Sequence, residues 1–172
     1  MIKKPTQTIA YASILVAFGI LIPMIMPVKV VIGPASYTLA SHVPLFLATF
    51  ISLPVGLFVA LGTTLGFFLA GFPIVIVMRA LSHLIFVAIA ALYLSKKPTV
   101  LQSPIKALPF AIVINIIHGA AEFFVVLLMT MTAHTEFSYV WSMLGLVGLG
   151  TVIHGLVDFH LAYWVWNRLT HK

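Results

Sequence analysis

Arg79 and His83 stand four residues apart in one apolar stretch of the chain, and Asn115, His118 and Glu122 follow at i, i+3 and i+7 in another. If both stretches are helical, each set lies along a single face. Measured from the turn-forming residues that precede or follow them, Arg79 lies roughly 9 Å, His83 roughly 15 Å and Glu122 roughly 14 Å down their helices at 1.5 Å per residue. Arg79 and Glu122 therefore share a depth and are expected to pair. In a bilayer a central charge costs at least about 2.5 kcal/mol, so each must face the protein interior and find a partner. Two readings remain open: an ion pair that only fixes helix register, or a polar pocket in which His83 and His118 add neutral imidazoles able to donate or accept. The pocket would suit a small polar ring compound.

A third set, His154 and Asp158 with His160 beyond, lies near the chain's end. His154 falls level with Asn115, so a hydrogen bond between their helices is expected. Asp158 reads as structural, with His154 or Lys106 as its partner. His42, Tyr139 and Trp141 stand where interfacial anchoring or stacking on an aromatic ligand are both reasonable. Catalytic signatures are absent: there is no His-Glu-x-x-His, no Gly-x-Ser-x-Gly and no phosphate-cradling glycine loop, so no enzyme activity and no cofactor are expected. A metal is not expected either. The candidate ligands spread over three helices rather than forming the carboxylate–histidine pairs of bundle metal sites.

The elements that carry these residues are set by composition. Hydrophobic residues make up 62% of the 172 and charged residues 7%, against roughly a quarter charged in a soluble domain. This marks an integral membrane protein, and six spans of about 20 residues leave room only for short connections, so residues 1–172 are expected to form one compact all-α bundle. The spans read as Thr8 to Met26, His42 to Leu53, Pro54 to Ala70, Ile74 to Leu94, Pro104 to Met131 and Phe137 to Asn167. The first is retained rather than cleaved. Pro27 to Ser41 is a long loop with a short extended piece at Val28 to Ile32, and spans two and three form a tight hairpin.

Basic residues orient the bundle. With Lys3 and Lys4 inside, an even number of spans puts Lys96, Lys97, Lys106, Arg168 and Lys172 inside too and leaves only Lys29 outside, so both termini are expected in the cytoplasm. The net charge of +6 is thus accounted for by span ends, and nucleic acid is not an expected partner. Cysteine is absent, which removes disulfides and thiolate metal sites. Small residues recur at helical spacing, Ala10, Ser13 and Ala17 on span one and Gly56, Ala60, Thr64 with Gly62, Gly66, Ala70 on span three. Such stripes serve either internal packing or the docking of a membrane partner.

Size, six spans, cytoplasmic termini, a long outer loop after span one, a tight second hairpin and the small residues of span one together resemble the substrate-binding S component of an energy-coupling factor vitamin transporter. That family's first span carries an Ala-x-x-x-Ala motif facing the coupling subunit, and the matching positions here are Ser13 and Ala17, with Ser in place of the first Ala. The resemblance implies high-affinity binding of a vitamin at the outer side of a bacterial plasma membrane, with a transmembrane coupling subunit and two cytoplasmic ATPases as partners. Ala10, Ser13 and Ala17 would then be the docking face. Among family members the chain looks most similar to those for hydroxymethylpyrimidine or vitamin B6. Arg79, His83, Asn115, His118 and Glu122 would bind such a ring, with Tyr139 or Trp141 stacking on it and the Pro27 to Ser41 loop as lid. Niacin is the alternative ligand; its carboxylate would lean on Arg79 and be repelled by Glu122 unless that group were protonated or paired. Outside the family, a stand-alone proton-coupled transporter would use Glu122, His118 and Asp158 as a relay, and an intramembrane enzyme would use the same groups for acid–base work.

Overall fold

The computed structural model describes residues 5–170. Lys3, Lys4 and Lys172, used above to orient the chain, lie outside the described residues. Six helices follow one another: α1 (Pro5–Ile25), α2 (Val43–Ile51), α3 (Leu53–Leu69), α4 (Ile74–Lys96), α5 (Pro104–Thr130) and α6 (Phe137–Thr170). A 3₁₀ turn at Pro98–Gln102 links α4 to α5, and α6 contains a π-helical stretch at Leu144–Leu149. Between α1 and α2 the chain forms a β-hairpin, β1 (Lys29–Ile32) with β2 (Ala35–Thr38), antiparallel, with Ile32 opposite Ala35. Its two-residue turn opens on Gly33 at φ +55°, the backbone that a tight hairpin requires at that position.

Four helices, α1, α4, α5 and α6, are long and apolar enough to cross a bilayer. The expected second span is not. α2 has nine residues, about 13.5 Å of helix against a hydrocarbon core of about 30 Å. The chain reaches it from the hairpin through the turn Leu39 to His42, of which only His42 belongs to the expected span. Ser52, fully extended, ends α2 and caps α3, and Pro54 sits at the second position of α3, where its missing N–H costs nothing. The chain then runs up and down, so that the hairpin, the turn at Gly71 and the α5–α6 link share one end. Ser52, the 3₁₀ turn and the ends Pro5 and Thr170 share the other, as the packing of Phe50 on Trp166 reflects. Lys29 thus stands at the hairpin end, with Lys96, Lys97, Lys106 and Arg168 at the opposite one.

Small residues on α3 set its contacts. Gly62 and Gly66 receive Val16 and Ile20 of α1, and Gly56 receives Val87 of α4; a Cβ at any of the three would overlap its neighbour. These stripes pack the bundle, as helices in lipid require. The stripe on α1 does not: Ala10, Ser13 and Ala17 are all exposed, on the side away from Ala12 and Gly19, which are buried.

Candidate ligand-binding site

α4, α5, α6 and the start of α2 converge on a group of side chains that are ionisable yet shielded from solvent. Arg79, His83, Asn115, His118, Glu122, Thr151 and Asp158 are all buried. Glu122, 2% exposed, is the hub. Its Oε2 accepts from Arg79 Nη2 at 2.7 Å, Arg79 Nε at 3.1 Å and Thr151 Oγ1 at 2.7 Å. Its Oε1 lies 3.0 Å from His83 Nε2 and 3.4 Å from His118 Nε2. Arg79 and Glu122 therefore do pair, and the carboxylate is surrounded by donors on both oxygens. Buried charges persist only with such extra hydrogen bonds, since each loses several kcal/mol of hydration.

The remaining arginine nitrogen reaches the hairpin. Arg79 Nη1 donates to the Pro34 carbonyl at 2.9 Å and lies 3.4 Å from Ser36 Oγ. Tyr37, next along β2, donates its hydroxyl to the Leu146 carbonyl, one of those turned aside by the π-helical stretch of α6. Burial raises the Tyr37 pKa above its ordinary value, against the lowering pull of Arg79, so the phenol keeps the proton it donates. Gly150 is what lets Tyr37 approach, because a Cβ there would strike the phenol ring. The loop expected as a lid is thus a hairpin tied to α4 and α6.

Asp158 gathers a second group. Its Oδ1 accepts the Ala40 N–H and its Oδ2 the His42 N–H, both at 2.8 Å. Of the two partners expected from sequence, His154 stands 3.3 Å from the carboxylate, whereas Lys106 is exposed and Asp158 is fully buried beside His42 as well. His154 does not reach Asn115 either: its Nε2 lies 3.1 Å from Ser41 Oγ, and Asn115 Nδ2 donates to the Ala111 carbonyl of its own helix. His42 joins the two groups. Its ring packs edge-on against His83, His118 and His154 with centroids 5.0, 4.8 and 5.1 Å apart. Among the described residues Asn115 Oδ1 and both ring nitrogens of His118 are buried without a hydrogen-bond partner.

Beneath the hairpin lies a cavity of about 300 Å³, at the lower end of the roughly 300–1,000 Å³ typical of small-molecule sites. Arg79, His83 and Glu122 line it, together with His42, Lys29 and the stacked rings of Phe67 and Phe72, 4.6 Å apart. Asn115 and His118 lie behind that wall. The structure does not bring Tyr139 or Trp141 to the cavity: the Tyr139 hydroxyl donates to Thr130 Oγ1, and Trp141 is exposed, edge-on to Phe137. His160 is likewise outside, its Nδ1 on the Leu156 carbonyl. Aromatic surface comes instead from Phe67 and Phe72, which the sequence did not single out as site residues.

No family model matches the chain. The niacin transporter NiaX of Lactococcus lactis subsp. cremoris (strain MG1363) is 40% identical to it over 170 residues, covering 98% of this chain and 77% of that protein. The chain belongs to the family of that transporter. With four apolar helices of spanning length, it is a multi-pass membrane protein of a vitamin-transporting family. The NiaX match also corrects the favoured ligand. Pyridoxine and hydroxymethylpyrimidine find no support in NiaX, and niacin, the alternative weighed from sequence, is the vitamin in that relative's name.

Proposed function

We propose that this chain is the niacin-binding S component of an energy-coupling factor transporter in a bacterial plasma membrane. It takes niacin into the cavity under the hairpin from the outer face, and a transmembrane coupling subunit with two cytoplasmic ATPases drives uptake. The observation that carries the ligand is the state of Glu122. A free carboxylate beside the cavity would repel the niacin anion, but this one is occupied by Arg79, Thr151 and His83. With it neutralised by Arg79, Lys29 leaves the lining with one positive charge in excess, two cations against one carboxylate. That balance favours a monoanion. The cavity's size suits a single ring, and Phe67 and Phe72 offer it an aromatic wall. His83 and the hydroxyls of Ser36 and Thr38 are within the lining to serve the pyridine nitrogen or the carboxylate.

The exposed Ala10, Ser13 and Ala17 supply the docking face for the coupling subunit, since small residues on a lipid-facing helix let another helix approach closely. Equilibrium binding to the detergent-purified protein tests the ligand. Niacin binds, nicotinamide binds at least about tenfold more weakly for want of the carboxylate, a difference of about 1.4 kcal/mol, and pyridoxine fails to compete. Tighter binding of pyridoxine or hydroxymethylpyrimidine than of niacin would sink the assignment. Ser13→Trp, made in the same preparation, keeps niacin affinity and loses copurification with the coupling subunit.

A further inference from the structure

The Asp158 group adjoins the niacin cavity through Ser41 and His42, while His154 and Asp158 lie outside its lining. Three ligand-type atoms in the group, His42 Nδ1, His154 Nε2 and Asp158 Oδ2, form a nearly equilateral triangle with sides of 3.2, 3.3 and 3.3 Å. Ser41 Oγ stands 3.2 Å from the first nitrogen and 3.1 Å from the second. An ion held tetrahedrally by bonds of about 2.0–2.1 Å keeps its ligand atoms about 3.3–3.4 Å apart. Hydrogen bonding alone does not explain the cluster. A ring nitrogen makes one in-plane hydrogen bond, yet His42 Nδ1 has Ser41, His154 and Asp158 all within 3.3 Å, and His154 Nε2 has Ser41, His42 and Asp158.

We propose that His42, His154 and Asp158 form a binding site for a divalent transition metal ion of the zinc type, with a fourth position beside the Ser41 hydroxyl. Two imidazoles and one carboxylate are a donor set that zinc, cobalt and nickel accept. The carboxylate is already aimed: the Ala40 and His42 amides hold its two oxygens, the outer-shell support that metal-ligating carboxylates use. Ala40 is the one non-glycine with positive φ (+66°) among the described residues, so this turn is held against its own preference to present those two amides. His154 and Asp158 lie four apart on one helix face, and Ser41 and His42 open onto the cavity, which gives an ion a path in. The neighbouring set of His83, His118 and Glu122 is the poorer host. Arg79 sits on its carboxylate and would repel a dication.

The purified protein, stripped with a chelator and dialysed, is titrated with Co²⁺ and followed by visible absorption. One equivalent giving tetrahedral-type cobalt bands, discharged by Zn²⁺, is expected. His154→Gln and Asp158→Asn each lose the bands, and His160→Ala keeps them. Absence of a stoichiometric band in the unmutated protein, or its survival in a folded His154→Gln or Asp158→Asn variant, overturns the site. Should neither variant fold, imidazole ¹⁵N resonances of the unmutated protein decide: zinc shifts those of His42 and His154 and spares His134 and His160, and zinc that moves none of them overturns the proposal. No vitamin enters these readouts, so the metal site and the niacin assignment stand or fall separately.

Discussion

The hairpin half and the far half of the bundle are built from the same helices by the same ring-on-ring packing, and differ in which rings they use. In the far half Phe46 of α2 packs on Phe86 of α4 and Phe159 of α6 at 5.5 and 5.3 Å, and Phe110 of α5 joins Phe159 at 5.9 Å. In the hairpin half His42, at the head of α2, and His83, His118 and His154 on α4, α5 and α6 take the corresponding places. The exchange takes one to two helical turns: His42 precedes Phe46 by four residues, His83 precedes Phe86 by three, His154 precedes Phe159 by five, and on the oppositely directed α5 His118 follows Phe110 by eight. A phenyl ring is satisfied by contact alone. An imidazole also needs partners for two nitrogens, and His118 lacks them while Asn115 Oδ1 beside it lacks one too. One half is complete as it stands, whereas the other is organised around charges and lone pairs that invite something bound.

The contrast is broken most severely at Glu122. Glu122→Ala leaves Arg79 buried with no counter-charge, which costs about 3–5 kcal/mol of stability, and niacin binding is lost. Unfolding in detergent and equilibrium binding read the two effects, and unchanged niacin affinity would remove Glu122 from the site. Phe46→Ala is the matching lesion in the far half. Truncating a fully buried phenylalanine also costs about 3–5 kcal/mol, yet at temperatures where the variant is folded niacin affinity stays within about twofold, because no polar group moves. A large affinity loss in Phe46→Ala would mean that the halves are not separable. His118→Leu sharpens the point from the other side. Removing a buried imidazole that makes no hydrogen bond, its Nε2 only approaching Glu122 at 3.4 Å, spares its desolvation, so stability rises by about 1 kcal/mol, where an imidazole satisfied in the isolated protein would give a fall.

Much of this division was readable before any coordinates. Long apolar runs located α1, α4, α5 and α6 to within a few residues, because in lipid only a helix satisfies its own backbone. Equal depth paired Arg79 with Glu122. The extended piece at Val28 to Ile32 and the turn at Gly71 were legible too; what failed was the length of the second span and the place of some residues beside the helix ends. α2 passed as a span because its apolar content is high, but content does not reveal that the helix is only nine residues long. For the same reason the sequence left His42 open between interfacial anchoring and ligand stacking, when the descending turn carries it to the centre of the imidazole group. Tyr139 and Trp141 were favoured for aromatic type, and the helix end that holds them points elsewhere. One signal was present and unused. Asn115, His118, Glu122 and Thr151, His154, Asp158 repeat the same spacing on helices that pack together, so each set lies along one face of its helix, a cue that Thr151 belongs with the polar group.

The smallest expected effect lies at the turn between the halves. Ala40 holds φ at +66° so that its amide and that of His42 can both reach Asp158. For a residue with a Cβ this conformation costs about 1–2 kcal/mol, and glycine removes that cost while adding about 0.5–1 kcal/mol of backbone entropy to be lost on folding. Ala40→Gly should therefore raise stability slightly, by about 0.5–1 kcal/mol, and leave niacin affinity as it was, since both amides remain. The far half contains no residue held in this way among those described, so no comparable gain is available there from any alanine-to-glycine change; within its helices such changes lower stability by about 1 kcal/mol. If Ala40→Gly also lowered stability, the turn that carries His42 would be as relaxed as the phenylalanine layer beneath it, and Asp158 would no longer be needed to hold it in place.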